Sequence, residues 1–206
     1  MAQYFVVHPT HPQKRLVCQA ADIVRGGGLI AYPTDSCYAL GCHLGETRAL
    51  ERLRTIRGID ERHHLTLMCR DLSEIAKYAM VSDKSFPLLK MRGSYTFILP
   101  ARREVPRRAA RKKTIGVRIP GHPAAHALLA ELDEPMLSAT LLLPGDTAPL
   151  SDPQDIRQRL ERQLDLIIDA GPCGTQPSTV LDLTGDEPKV LREGKGPLAP
   201  FAVEPV

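Results

Sequence analysis

GGGLIAYPTDSCYALGC, residues 26–42, is the stretch of sequence that decides the fold. Its apolar run LIAY, residues 29–32, predicts a buried strand. Pro33 ends that strand because proline donates no hydrogen bond to a sheet ladder. Residues 34–36, Thr-Asp-Ser, then crowd two hydroxyls and a carboxylate into a turn before the apolar strand resumes at residues 38–40. The stretch therefore predicts a polar turn between two strands.

On both sides of this stretch, apolar periodicity predicts strands that alternate with helices. Helices are predicted at residues 13–25, 46–56, 71–79, 124–132 and 154–164, and further strands at residues 65–69, 95–99, 115–119, 136–140, 165–168, 179–183 and 190–192. The connection at residues 184–188 is too short for a crossover helix, so it indicates a hairpin. We predict an α/β (α+β) fold, with a twisted mixed sheet and flanking helices.

Length and composition favour one domain. A chain of 206 residues with 43% hydrophobic content suits a single domain over residues 1–206, with a core at about 13–195 and a short C-terminal tail. The N-terminus lacks a basic flank followed by an apolar run, and no stretch approaches the roughly 20 apolar residues that cross a bilayer. We expect a cytoplasmic protein that makes no contact with membranes.

The sequence offers no familiar cofactor motif. P-loop, GxGxxG and HExxH patterns are absent, and the five cysteines include no CxxC pair. His43, His63 and His64 have no acidic or thiolate partner at ligand spacing. We therefore predict no metal site formed by protein ligands.

The net charge is only +3, but the basic residues are clustered. Residues 102–118 carry eight basic residues and one acid, Glu104, and such clusters attract phosphate. The candidate RNA-binding residues are Arg54, Arg107, Arg108, Arg111, Lys112 and Lys113. The alternative is that these charges form a solvated face with no ligand.

Several predicted strands end at hydroxyls or arginines. These residues are Thr34, Ser36, Thr96, Arg118, Ser138, Thr140, Ser178, Thr179 and Arg192. If the ends converge, they form a cationic pocket that holds phosphate or carboxylate oxygens. Each member has a structural alternative: Thr96 and Thr179 are also ordinary strand residues. Ser151, which precedes a predicted helix, equally matches a capping box.

These segments together resemble the YrdC-like family. Its Pro-Thr-Asp/Glu-Thr turn between a strand and a Tyr-x-Leu-Gly stretch is similar to residues 33–41. Later segments follow the family's order, among them SYTFILP, TIGVRIPGHP, EPMLSATLLLPG, QPSTVLDL and VLREG. The stretches LTLMCRDL and EVPRR resemble the YciO branch in particular. The resemblance implies a twisted α/β sheet with an open, basic concave face and binding of structured RNA, either double-stranded RNA, tRNA or rRNA.

The resemblance also implies a reaction. Family synthases are nucleotidyltransferases that convert ATP, L-threonine and bicarbonate to L-threonylcarbamoyl-AMP and pyrophosphate, a step of tRNA modification, with Mg²⁺ on the phosphates and no tightly bound cofactor. The matching positions for threonine are Thr34, Arg118 and Ser178, and those for the nucleotide and its surroundings are Arg57, Thr96, Ser138, Thr140, Ser151 and Arg192. Because the reaction brings anions together, Arg57 and Arg118 are the expected catalytic residues.

Three departures fall in the expected site. The family's Lys-x-Arg stands here as Arg57-Gly58-Ile59, its Ser-Ala-Asn ends in Thr140, and its histidine aligns with Met68. Loss of one charge-assisted contact costs about 1.5–3 kcal/mol, or roughly tenfold to a hundredfold in affinity. The sequence therefore indicates weak or diverged synthase activity. The alternative is a non-catalytic RNA-binding protein of rRNA or tRNA metabolism that keeps a nucleotide pocket.

Overall fold

The computed structural model describes residues 1–61, 63–91, 93–106, 109–110 and 113–199. Its strands are β1 (Gln3–Val6), β2 (Ile30–Tyr32), β3 (Ala39–His43), β4 (Thr66–Met68), β5 (Tyr95–Pro100), β6 (Thr114–Arg118), β7 (Met136–Thr140), β8 (Leu166–Asp169), β9 (Thr179–Asp182) and β10 (Lys189–Arg192). Its helices are α1 (Lys14–Arg25), α2 (Thr47–Arg57), α3 (Leu72–Tyr78), α4 (Phe86–Leu89), α5 (Pro123–Leu132) and α6 (Pro153–Leu160).

Within these described ranges, the ten strands form one sheet in the order β1-β8-β2-β3-β7-β4-β6-β5-β9-β10. Pairs β1/β8, β2/β8, β4/β6 and β5/β9 are parallel, and the other five pairs are antiparallel. The sheet is therefore mixed, and the predicted α/β fold class is confirmed. The predicted hairpin is also present, because β9 and β10 pair antiparallel across the short connection.

Helices cover both faces of the sheet, because successive side chains of each strand point to opposite sides. In β2, Ala31 joins the core that contains residues of α2, α3, α4 and α6. Ile30 and Tyr32 join a second core, on the opposite face, with residues of α1 and α5. This second core also takes in residues of β3, β7 and β8, so α1 and α5 pack over that half of the sheet.

The other half of that face forms the floor of a cavity. Leu67, Phe97, Val117 and Leu181 belong to the first core, so their strand neighbours point the other way. Those neighbours line the cavity: Thr66 and Met68 on β4, Arg118 on β6, Thr96 and Ile98 on β5, and Val180 on β9. The strand order thus brings side chains from distant parts of the sequence to one place.

The largest differences from the predicted elements are two additional short elements and one shorter helix. β1 and α4 were not predicted from the sequence; both are short. The helix predicted at residues 154–164 ends at Leu160, because the chain turns toward β8. After that turn, Asp165 makes two hydrogen bonds to Leu29. Its backbone N–H donates to the Leu29 carbonyl at 2.9 Å, and its Oδ2 accepts from the Leu29 N–H at 2.7 Å.

Candidate functional site

The cavity over strands β4, β6, β5 and β9 has a volume of about 210 Å³. Its lining includes eight residues that sequence reasoning assigned to the site: Thr34, Arg57, Thr96, Arg118, Ser138, Thr140, Ser178 and Arg192. The structure therefore brings together Arg57 and seven of the nine predicted strand-end residues, whereas Ser36 and Thr179 do not line the cavity. Their roles toward a ligand stay predictions.

The turn after β2 is closed by the hydroxyl of Thr34. Its Oγ1 donates to the carbonyl of Cys37 at 2.6 Å and accepts from the backbone N–H of Ser36 at 3.2 Å and of Cys37 at 3.3 Å. Thr34 is 3% exposed, so these bonds satisfy a hydroxyl that water does not reach. The turn presents a rigid polar wall to the cavity.

An ion pair anchors the same wall. Arg118, only 7% exposed, donates from Nη2 to Oδ2 of Asp35 at 2.9 Å and from Nε to the carbonyl of Gly93 at 2.9 Å. Asp35 also accepts from the Ser94 hydroxyl at 2.7 Å and from the Gly121 N–H at 2.9 Å. Burial raises the pKa of Asp35, but the Arg118 charge and these hydrogen bonds outweigh it and hold the pKa below the ordinary value. The carboxylate is thus charged and fully engaged.

A second polar wall joins β5, the loop before β9, and β10. The hydroxyls of Thr96 and Ser178 lie 2.8 Å apart and are buried. Arg192 donates two hydrogen bonds to the Ser178 carbonyl, from Nε at 3.1 Å and from Nη2 at 2.8 Å. It makes no ion pair within the described residues, so its charge stays available at the rim of the cavity. Burial lowers the pKa of Arg192, and repulsion from Arg118 adds to the effect.

Arg57, the last residue of α2, places a third guanidinium at the cavity. Its Nε is buried and lacks a hydrogen-bond partner in the part of the chain that the structure describes. Burial lowers the pKa of Arg57, as expected for a cation removed from water without a counter-ion. A guanidinium in this setting is suited to a bound anion.

Cys37 lines the cavity beside these arginines, but its thiol stays protonated at neutral pH. Burial raises its pKa, and the lowering effects of Ser36, Arg118, Thr140 and Arg192 are smaller. The structure therefore gives this thiol no sign of activation as a nucleophile.

Two hydroxyls of β7 have different surroundings. Ser138 is 3% exposed and donates to the Leu40 carbonyl at 3.0 Å, which leaves the Tyr32 hydroxyl, 2.7 Å away, to donate to Ser138. This hydroxyl supports the sheet as well as lining the cavity. Thr140 is half-buried at the end of β7 and lines the cavity beside Cys37.

Ser151 does not line the cavity. The capping alternative for this residue is wrong, because Asp152 is the N-cap of α6 and its Oδ1 accepts from the Gln154 N–H at 2.7 Å. The Ser151 carbonyl instead accepts from the Cys173 N–H at 2.9 Å, which ties two loops together. Ser151 as a nucleotide contact stays a prediction that this geometry does not support.

Four of the six residues predicted to bind RNA lie outside the residues that the structure describes. Arg107, Arg108, Arg111 and Lys112 fall outside the described residues. Lys113 is exposed just before β6, with a left-handed φ of 64°, and Arg54 is half-buried on α2. The basic surface of residues 102–118 therefore stays a sequence prediction.

Among the cavity residues that sequence reasoning missed are His63 and His64, because it tested histidines only for metal-ligand spacing. Both line the cavity next to Arg57, whereas His43 pairs with Glu134 at 2.5 Å elsewhere. The available signal was their position directly before β4, the strand that carries Met68 at one of the family's site positions.

The three residues that depart from the family pattern differ in their position relative to the cavity. Ile59 packs against the core and does not line the cavity, so position 59 supplies no charge to it. Met68, which is 1% exposed, contributes an apolar part of the floor. Thr140 lines the cavity with a hydroxyl where the family has an amide.

The described residues contain neither a metal-ligand cluster nor a membrane-spanning helix. No group of three or more His, Cys, Asp or Glu side chains there is arranged to hold a metal ion. No helix among them is long and apolar enough to cross a membrane.

Comparisons with known proteins agree with this fold. The model of the Sua5/YciO/YrdC family, described as Telomere recombination, matches residues 22–194. The Escherichia coli protein YciO is 53% identical over 205 residues, which is 98% of this chain and 100% of YciO. The crystal structure of E. coli YciO has a TM-score of 0.94 with the same coverage.

More distant relatives are named after an activity or a ligand. Threonylcarbamoyl-AMP synthase of Bacillus subtilis is 29% identical over 184 residues, covering 86% of this chain and 53% of the relative. The crystal structure of P. abyssi Sua5 complexed with L-threonine has a TM-score of 0.87 and 25% identity, covering 96% of this chain and 59% of that one. The chain thus spans little more than half of these two proteins. On the family match and the identity to YciO, the chain belongs to the Sua5/YciO/YrdC family.

Proposed function

We propose that the protein is a nucleotidyltransferase of the L-threonylcarbamoyl-AMP synthase type, which uses ATP, L-threonine and bicarbonate and releases pyrophosphate. One observation carries the proposal: Arg57 and Arg192 face a cavity of about 210 Å³ and have no ion-pair partner among the described residues. Arginines in this state favour an anionic ligand with several oxygens, such as a nucleotide phosphate. We expect the reaction to take place in the cytoplasm.

The wall of Thr34 and Arg118 suits the amino-acid substrate. Arg118 is oriented by Asp35 and its second guanidinium nitrogen also reaches the Thr34 hydroxyl at 3.5 Å. In this proposal Arg118 holds the threonine carboxylate, and the Thr34 and Ser178 hydroxyls orient its polar groups. The relatives support this assignment, since the P. abyssi Sua5 structure is a complex with L-threonine and the B. subtilis relative is a threonylcarbamoyl-AMP synthase.

The proposed chemistry follows from the charges. The threonine amine attacks bicarbonate to give a carbamate and water. A carbamate oxygen then forms a bond to the α-phosphorus of ATP, and the bond from that phosphorus to the bridging oxygen breaks as pyrophosphate leaves. Both steps bring anions together, so positioning and neutralisation by Arg57, Arg118 and Arg192 contribute more than a strong base would.

Magnesium is proposed to enter with the nucleotide. Asp35, a carboxylate beside the cavity, is already occupied by Arg118, Ser94 and Gly121. No other cluster of acidic or histidine ligands stands among the described residues. Mg²⁺ is commonly held by substrate phosphates with few protein ligands, and this donor set fits that mode.

The proposed enzyme is slow or diverged, because position 59 contributes Ile59 where the synthases have a cation. The test is pyrophosphate release by purified protein, with ATP, L-threonine and bicarbonate supplied together and omitted one at a time. We expect release that requires all three, and Arg118→Ala should lose the dependence on threonine first. Arg162→Gln is the matched control, because Arg162 is exposed and does not line the cavity. Release that does not depend on threonine would overturn the proposal.

A second candidate function is a non-catalytic RNA-binding protein of tRNA or rRNA metabolism, which keeps the cavity as a nucleotide pocket. Its support is the charge of residues 102–118, eight basic against one acidic. Such a surface neutralises RNA phosphates and releases counter-ions, so affinity falls steeply with salt. RNA shape should then matter more than sequence.

Replacing the basic residues Arg107, Arg108, Arg111, Lys112 and Lys113 together by Gln separates the two functions. Binding of structured RNA, measured by filter retention at several salt concentrations, should be lost while ATP binding is kept. RNA binding that survives the five changes would show that the run is a solvated face.

A further inference from the structure

His63 lies in the turn between α2 and β4, at the mouth of the cavity. Its backbone N–H donates to the Asp60 carbonyl at 3.3 Å, which fixes the turn. In the described part of the chain the imidazole ring itself makes no hydrogen bond and no ion pair. The ring is therefore placed at the cavity with both nitrogens available to a ligand.

Cations surround this ring. Arg57 at the end of α2, Arg192 on β10 and His64 next in the chain act on it electrostatically, and Asp60 opposes them. Arg118 on β6 lines the same cavity, and Cys37 contributes a neutral thiol. The chain neighbours Glu61 and Arg62 carry opposite formal charges. Burial, and then repulsion from Arg57, His64 and Arg192, lower the pKa of His63, so the ring is neutral at pH 7 in the ligand-free protein.

We propose that His63 is a further phosphate-binding residue of this cavity, and that its imidazole takes up a proton when a polyphosphate binds. This inference rests on the proposed function in so far as ATP is the ligand. A polyphosphate between Arg57 and Arg192 changes the sign of the field at the ring, so that the repulsion becomes an attraction for the imidazolium. The protonated ring then donates a charge-assisted hydrogen bond to a phosphate oxygen.

His63 in this role supplies a cation that position 59 does not. Ile59 lies four residues earlier in the sequence, yet it packs on the core. Unlike a lysine or an arginine, a histidine delivers its charge only when the anion is present or the pH falls. Phosphate affinity should therefore be coupled to pH in this chain.

The test is titration calorimetry with inorganic tripolyphosphate, free of Mg²⁺, at pH 7 in two buffers of different ionisation enthalpy. The difference between the two heats gives the number of protons taken up. Tripolyphosphate also titrates, so the comparison is between wild type, His63→Gln, His63→Lys and the control His126→Gln, whose histidine lies on α5.

Wild type and His126→Gln should take up more protons per ligand than His63→Gln, which should bind roughly tenfold more weakly at pH 7. His63→Lys should restore the affinity without the proton uptake. Equal proton uptake and affinity in wild type and His63→Gln would overturn the inference, as would no binding of tripolyphosphate. The proposed reaction is judged separately. Threonine-dependent pyrophosphate release without His63-dependent proton uptake would overturn only the role of His63. Proton uptake that depends on His63, without threonine-dependent pyrophosphate release, would overturn only the proposed synthase function.

Discussion

Nη2 of Arg118 lies 2.9 Å from Oδ2 of Asp35, and this pair joins β6 to the turn that follows β2. The side chains are only 8% and 19% exposed. Asp35 therefore orients the guanidinium that the proposed reaction needs, and a buried positive charge would remain if the carboxylate were removed. The same contact makes the turn both a structural joint and a wall of the site.

Asp35→Asn should lower the free energy of unfolding by about 3 kcal/mol, because the change leaves Arg118 buried without its counter-ion. Urea denaturation followed by circular dichroism measures this. Asp186→Asn is the control, since Asp186 pairs with Lys84 on the exposed surface, where such pairs contribute little. Equal losses in the two variants would contradict the structural role of the buried pair.

The contribution of Asp35 should depend on pH in one direction. Its folded pKa lies below the ordinary value, so the stabilisation is complete above the unfolded pKa of about 3.9 and is lost as the pH falls through the folded pKa. The stability difference between wild type and Asp35→Asn should be constant from neutral pH down to about pH 4 and shrink below it. A difference that already shrinks near pH 6 would argue against a charged Asp35 in the folded state.

Gly41→Ala should disturb the sheet beneath the site. A Cβ at Gly41 would lie 2.7 Å from Cε1 of Tyr32, and Tyr32 is fully buried and bonded to Ser138. We expect a loss of roughly 1–3 kcal/mol in the free energy of unfolding, as for other overpacked cores. Gly185→Ala, where the nearest atom is 4.0 Å from the added Cβ, should be nearly neutral. Thermal unfolding of the two variants side by side tests the difference.

Arg57→Gln should weaken ATP binding by roughly tenfold to a hundredfold, because one charge-assisted phosphate contact is removed. Stability should change little or rise, since burial lowers the pKa of Arg57 and no partner among the described residues offsets its desolvation. Calorimetric titration with ATP and a parallel urea melt give both values. Arg162→Gln should leave both unchanged. Unaltered ATP affinity in Arg57→Gln would remove Arg57 from the nucleotide site.

Most of the fold follows from the sequence because the core strands are continuous apolar runs bounded by turns. Residues 29–32 are an example, and their burial is as predicted. β1 was missed because two of its four residues are exposed and two are half-buried, and because the strand is ordered by pairing with β8, more than 150 residues away. The early end of α6 likewise depends on a distant contact, the bonds between Asp165 and Leu29.

The site was predictable where strand ends carry unusual side chains, as at Thr34, Arg118 and Ser178. It was not predictable where the decisive fact is a partner. The sequence cannot show that Asp35 engages Arg118, or that the hydroxyl of Ser138 is used by Tyr32 and Leu40. Nor does it show that His63 reaches the cavity whereas Ile59 turns to the core.

A crystal structure of the protein soaked with ATP, L-threonine and bicarbonate tests the central claim most directly. We predict that the triphosphate lies between Arg57 and Arg192, with the threonine or its carbamoyl adenylate against Thr34 and Arg118. Nucleotide bound elsewhere, for instance in the cleft lined by Gly27, Arg48 and Asp165, or threonine absent from the Thr34 wall, would contradict the account.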